Sequence, residues 1–137
     1  MKANRIANTT PPSRAMRIVA ILLACIWLVL GVVELITPAR FTSMYGLEVE
    51  GEAGFTYVRG IGARNIVLAW SVIFAAICGY RAQLATLSAG LCVMSIIEFL
   101  IACFAVGFLG AIRFLIFALV LAALAVWISV KRKDNAK

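Results

Sequence analysis

Four ionisable side chains interrupt the long apolar runs of this 137-residue sequence: Glu34, Arg64, Glu98 and Arg113. In apolar surroundings, carboxyl and guanidinium groups can bind a polar head group, transfer a proton or pair with one another. An unpaired charge in such surroundings is costly, so these groups must find partners. The sequence contains no histidine, and its one aspartate, Asp134, lies near the C-terminus. Carboxylate chemistry inside the apolar runs is therefore limited to Glu34 and Glu98.

Several other classes of site are disfavoured by the residue types present. Without histidine there is no imidazole acid–base catalysis and no mixed Cys/His zinc site. The Gly60-x-Gly62 pair lacks the third glycine and the preceding strand of a dinucleotide-binding turn, and close helix packing is the favoured role. We expect no cofactor and no metal. No C-x-x-C spacing occurs among the four cysteines, Cys25, Cys78, Cys92 and Cys103.

The composition indicates an integral membrane protein. Apolar residues make up 64% of the chain and charged residues only 14%, against about 45–50% and about 25% in average soluble domains. A chain of this length cannot bury so many apolar residues in a single soluble core. The net charge of +7 does not indicate a nucleic-acid partner, because most basic residues lie near the two ends of the sequence.

We predict an all-α fold, a four-helix transmembrane bundle with both termini cytoplasmic. The predicted spans cover about 18–37, 60–80, 84–106 and 113–130, with basic cytoplasmic tails at 1–17 and 131–137. Pro38 closes the first span, and Gly107 and Gly110 mark the last turn. Residues 38–59 form the predicted outer loop.

The distribution of basic residues sets the expected orientation. With both termini inside, nine of the thirteen Lys and Arg residues lie on the cytoplasmic side, as the positive-inside rule requires. The plasma (inner) membrane is the expected location. All four ionisable residues then fall in the outer half of the bilayer.

Depth and helical phase predict a polar cluster in that outer half. Glu98 lies deepest, and we expect it to pair with Arg64 on the neighbouring span. We expect Glu34 to meet Arg113 or Arg59. The candidate set, with Trp27 and Trp70 as pocket walls, consists of Glu34, Arg59, Arg64, Asn65, Ser95, Glu98 and Arg113.

One stretch resembles a family of small four-span membrane proteins classed as a domain of unknown function. The resemblance is carried by Pro38, by Gly46-Leu47 and by the segment 57–68, YVRGIGARNIVL. It implies a four-helix membrane fold, with Arg59, Gly62, Arg64 and Asn65 as signature positions. Asn65 stands where the family often has aspartate, and Glu98 fills its acidic position in the third span. The resemblance implies no particular activity.

Three functions are compatible with such a cluster. The first is an accessory or lipophile-binding protein with a polar pocket in the outer half of the bilayer. The second is a membrane-embedded enzyme, such as an isomerase or cyclase, that uses Glu98 on a hydrophobic substrate. The third is a proton-coupled exporter of small molecules. A purely structural role, in which ion pairs set the register of the helices, stays open. The expected partners are membrane lipids, a hydrophobic small molecule, and a larger membrane complex or homo-oligomer.

Overall fold

Helices account for most of the computed structural model, which describes residues 11–47 and 49–134. The helices are α1 (Arg14–Ile36), α2 (Pro38–Met44), α3 (Gly51–Cys78) and α4 (Arg81–Asp134). Three of them, α1, α3 and α4, are long and apolar enough to cross a membrane. Lys2, Arg5, Glu48 and the side chains of residues 131–137, which include most of the predicted basic tails, lie outside the described part.

The ends of α1 follow from its sequence. The Ser13 hydroxyl accepts a hydrogen bond from the backbone N–H of Met16 at 3.4 Å, which caps the helix start. At the other end, Pro38 has no backbone N–H to continue the helix and begins α2 instead. The helix therefore ends at Ile36, next to the predicted close of the first span.

The helix α4 folds back on itself at Gly107. This residue has φ 76° and ψ 170°, a conformation outside the helical region that glycine adopts readily. The Arg81 side chain donates from Nε to the backbone oxygen of Ile128 at 2.9 Å, whereas a straight helix would separate these residues by about 70 Å. The chain therefore doubles back between two arms, 81–106 and 108–134, at the predicted turn.

The α1–α3 contact is the most extensive between two helices, and glycines allow it. A Cβ atom added to Gly62 would lie 2.6 Å from the backbone oxygen of Gly31, which is too close for any side chain. Alanines continue the buried faces of both helices toward the other end of the molecule, with Ala20 and Ala24 on α1 and Ala69 on α3. Small residues thus let the two backbones touch.

The surface of the long helices is apolar along most of its length. Leucine, isoleucine, valine and phenylalanine side chains are exposed on α1, α3 and both arms of α4. A monomeric soluble protein rarely exposes apolar patches of this extent. Together with the three spanning-length helices, this surface supports a multi-pass membrane protein.

The predicted outer loop, 38–59, is largely helical. It contains all of α2 and the first nine residues of α3, which begins at Gly51. Glu52 lies in the first turn of α3, where its charge favours the helix N-terminus. The helix thus begins before the span predicted from hydrophobicity, with Glu52 near its N-terminus and the Arg59–Glu52 ion pair on its exposed part.

Two ends of the molecule are distinguished below. The loop end contains α2 and the turn at Gly107, and the terminal end contains Ser13, the turn between α3 and α4, and Ile128. Arg17 on α1 contacts the last turn of α3 at the terminal end. Both described ends of the chain therefore lie at the same end of the molecule.

Candidate functional site

An ion pair joins α3 to the first arm of α4 at the loop end. Nη2 of Arg64 lies 2.9 Å from Oε1 of Glu98. The two side chains remain 46% and 27% exposed, respectively, so the pair is open at the surface. The structure therefore contains the Arg64–Glu98 contact expected from the sequence.

The same arginine extends the polar contacts to α1. Nη2 of Arg64 also lies 3.3 Å from Oδ1 of Asn65. The amide nitrogen of Asn65 donates to Oε2 of Glu34 at 2.8 Å. A continuous row of hydrogen bonds, Glu34–Asn65–Arg64–Glu98, thus connects three helices. We refer to these four residues as the polar cluster.

The helix geometry of α3 places the consecutive residues Arg64 and Asn65 in different surroundings. Neighbouring residues on a helix point about 100° apart, so Asn65 lies on the buried face while Arg64 lies at its exposed edge. Asn65 and Glu34 are each only 4% exposed. The backbone contact at Gly62 brings them within hydrogen-bonding distance, because a Cβ there would also lie 2.8 Å from Cβ of Glu34.

The prediction for the partner of Glu34 is wrong. We expected Arg113 or Arg59, but Glu34 accepts its hydrogen bond from Asn65. Arg59 lies further out on α3 and pairs with Glu52 at 2.6 Å, on the exposed part of the helix. Asn65 was among the candidate residues, but no partner was predicted for it. Its distance to Glu34 depends on how α1 crosses α3.

Arg113 contacts aromatic rings at the loop end. Its guanidinium carbon lies 3.7 Å from the ring centroid of Tyr45 and 5.5 Å from that of Phe114. Its Nη2 lies 3.5 Å from the backbone oxygen of Tyr45. Its buried Nε has no hydrogen-bond partner among the described residues. The cation therefore holds the segment after α2 against the second arm of α4.

Tyr45 belongs to this region, although it is not among the candidate residues predicted from the sequence. Burial raises the pKa of its hydroxyl, the Arg113 charge acts in the opposite direction, and Glu34 and Glu98 add smaller upward effects. The phenol therefore lies within the electrostatic range of both glutamates. This arrangement was not predictable from local sequence, because Tyr45 and Arg113 are 68 positions apart in the chain.

The remaining candidates occupy different surroundings. Ser95 is buried on α4, one turn before Glu98, and Trp27 is buried near the ring of Phe117, at 6.0 Å between centroids. Trp70 is 64% exposed. It lines an open groove of about 650 Å³ between α3 and the first arm of α4, toward the terminal end.

Comparisons with family models, with curated proteins and with solved structures find no match for this chain.

The arrangement offers both donors and acceptors at the surface of the protein. The hydrogen bonds of Arg64 to described residues all use Nη2, so Nε and Nη1 have no partner in the described part of the chain. Oε2 of Glu98 accepts no hydrogen bond from a described residue either. A bound molecule could therefore accept from Arg64 and donate to Glu98 without breaking the ion pair.

Proposed function

We propose that this protein binds a lipophile from the membrane, with the polar part of the ligand held at Arg64 and Glu98. The observation that supports the proposal is the half-exposed Arg64, which is fixed by Glu98 and Asn65 while its Nε and Nη1 have no partner among the described residues. Intramembrane ionisable residues are costly and usually mark functional sites. Here the charge is compensated, but its donors remain accessible.

The helices also have a preferred arrangement in the membrane under this proposal. We propose that the two arms of α4 cross separately, which gives four spans with both termini in the cytoplasm and the polar cluster in the outer half of a plasma (inner) membrane. The fold-back at Gly107 and the basic residues near both ends of the sequence support this topology. Membership of the four-span family that the segment 57–68 resembles remains part of the proposal.

Retention of lipid probes tests the function. The protein is reconstituted in phosphatidylcholine vesicles that contain oleyl alcohol and oleic acid, extracted in detergent, and analysed for both probes per protein. Glu98→Gln and Arg64→Gln should each lower the retention of at least one probe by about tenfold, the value of one hydrogen bond to a charged group. Membrane insertion should be unchanged.

The matched control is Glu52→Gln, which neutralises the glutamate of the exposed Arg59–Glu52 pair on the same helix as Arg64. It should leave retention of both probes at the wild-type level. If Arg64→Gln and Glu98→Gln also leave retention unchanged, the polar cluster is not a binding site, and its role is to set the register of the helices.

The ion pair ranks binding above the two other candidate functions. An enzyme with Glu98 as a general acid, or an exporter that carries a proton on it, would have to protonate a carboxylate whose charged form is stabilised by the Arg64 guanidinium at 2.9 Å. A binding function makes no such demand. Lack of product from membrane lipids or isoprenoids, and lack of pH-driven uptake into proteoliposomes, would remove the enzyme and the exporter respectively.

A further inference from the structure

The polar cluster and the open groove lie along one seam between α3 and the first arm of α4. Arg64 and Ser71, which lines the groove, are seven residues apart on α3 and share a helix face. Two turns of helix separate them by about 10 Å. On α4, Glu98 and Leu87, another groove residue, are 11 residues apart, which again places both on one face. The seam is therefore polar toward the loop end and apolar toward the terminal end.

The groove fits a linear apolar chain. Trp70 and Phe74 form the α3 wall of the groove, and both are largely exposed. On the α4 side, Ala82 and Thr86 carry small side chains and Gln83 a larger one. The groove volume of about 650 Å³ lies within the ordinary size range of small-molecule sites. Three of the lining residues are polar but none is charged, and most of the exposed lining surface is apolar, so the groove suits an apolar chain.

The charges at the polar cluster select the head group. Arg64 and Glu98 already neutralise each other, and Glu34 adds a second carboxyl group two hydrogen bonds away. An anionic head that accepted from Nε or Nη1 of Arg64 would lie close to the Glu98 carboxyl group and near that of Glu34, and this repulsion disfavours it. A neutral hydroxyl or amide accepts from Nη1 or Nε of Arg64 and donates to Glu98, so the ion pair is kept.

We infer that the α3–α4 seam binds a lipid with one long apolar chain and a neutral hydroxyl or amide head. The head lies at Arg64 and Glu98, and the chain runs along the seam into the groove beside Trp70 and Phe74. This inference rests on the proposed function and adds the class and orientation of the ligand.

Photolabelling tests the inference. Full-length protein in phosphatidylcholine nanodiscs is irradiated with oleyl alcohol or oleic acid that carries a diazirine in the middle of the chain, and labelled residues are mapped by mass spectrometry. The alcohol should label the groove residues, chiefly Trp70, Phe74 and Thr86. It should do so more strongly than the acid, and excess unlabelled oleyl alcohol should abolish the signal.

A groove-filling variant separates a seated chain from bulk lipid. Thr86→Trp fills the groove at an exposed position and should lower alcohol labelling by about tenfold, because even two displaced methylenes weaken binding by that factor. Leu119→Trp places the same side chain on an exposed position of the second arm. It should leave labelling unchanged.

The failures of the two proposals are distinguishable. If the acid labels the groove as strongly as the alcohol, or if Thr86→Trp has no effect, the inference is wrong while retention at Arg64 and Glu98 can persist. If intermolecular crosslinks through the groove replace lipid labelling, a second copy occupies it and the inference is again wrong. If retention of both probes is independent of Arg64 and Glu98, the proposed function itself fails.

Discussion

The two ends of the molecule use arginine differently. At the terminal end, Arg17 donates to the backbone oxygens of Ala76 and Ile77 at 2.6 and 2.7 Å, and Arg81 donates to that of Ile128. The Ala76 and Ile77 oxygens lie in the last turn of α3, where a cation is favourable, whereas Ile128 lies six residues before the end of α4. At the loop end, Arg64 contacts side chains only, and Arg113 stacks on the ring of Tyr45.

This difference separates a structural use of charge from one that remains open to a ligand. Arginines that bond backbone oxygens at the terminal end join helix ends, so their loss should cost stability. At the loop end, Nε and Nη1 of Arg64 have no partner among the described residues. Replacement of Arg64 should therefore change what the protein binds. The following predictions test this separation, from the largest expected effect to the smallest.

Removal of the Asn65 amide should cause the largest loss. Asn65→Leu leaves the buried Glu34 carboxyl without its 2.8 Å donor, and the free energy of unfolding should fall by about 3 kcal/mol. The double variant Glu34→Met/Asn65→Leu makes both positions apolar and should recover most of that loss. Reversible unfolding in mixed micelles measures the cycle. A double variant as unstable as the single one would show that the two side chains do not act as a pair.

The helix contact that positions Glu34 comes next. Gly62→Ala introduces a Cβ 2.6 Å from the Gly31 oxygen, which forces α1 and α3 apart and should cost about 2 kcal/mol. The control is Gly60→Ala, on the same helix, where a Cβ meets nothing within 4 Å. It should be neutral or should stabilise by about 0.5–1 kcal/mol. Equal losses in thermal unfolding for both variants would argue against the close approach.

The arginines of the two ends should respond in opposite ways. Arg81→Gln removes a buried donor to the Ile128 oxygen and should lower stability by about 1–3 kcal/mol, with probe retention unchanged. The double variant Arg64→Gln/Glu98→Gln keeps a neutral hydrogen-bonding pair and should stay within about 1 kcal/mol of wild type, while losing retention. If both variants changed the same property, the two ends would not differ in role.

The smallest effect concerns Tyr45 and appears only at alkaline pH. Burial raises the pKa of its hydroxyl above the ordinary value near 10, so the unfolded chain releases the proton first as pH rises. The stability from this group is complete below pH 10 and is lost as pH rises toward the folded-state pKa. Tyr45→Phe should reduce the alkaline fall in the unfolding midpoint and leave the midpoint at pH 7 unchanged. If the unfolding midpoint of Tyr45→Phe fell at alkaline pH as much as that of the wild-type protein, Tyr45 would not contribute.

Local rules predicted the helical architecture well. Pro38 ends the first apolar run because it cannot donate a backbone hydrogen bond, and Gly107 supports the turn because it adopts a positive φ. The start of α3 at Gly51 was missed. Polarity marks where an apolar span ends, but it does not mark where a helix ends.

The site was predictable only in part. The Arg64–Glu98 contact follows from depth and opposite charge. The Asn65–Glu34 bond does not, because it depends on which face of α3 meets α1, and the close approach of Gly31 and Gly62 fixes that face. Trp70 lines the open groove, and the lining of that groove includes no member of the polar cluster.

The central claim is that opposite charges from α3 and α4 meet at the loop end and stay together in the bilayer. Solid-state NMR on protein in phosphatidylcholine vesicles, with ¹⁵N-labelled arginine and ¹³C-labelled glutamate, measures it through the dipolar coupling between Nη2 of Arg64 and the carboxyl carbon of Glu98. The account predicts a through-space coupling between these two nuclei, because the nitrogen lies 2.9 Å from an oxygen of that carboxyl group, and Glu98→Gln removes it from the assigned spectrum. A signal from Arg64 with no coupling to Glu98 would contradict it.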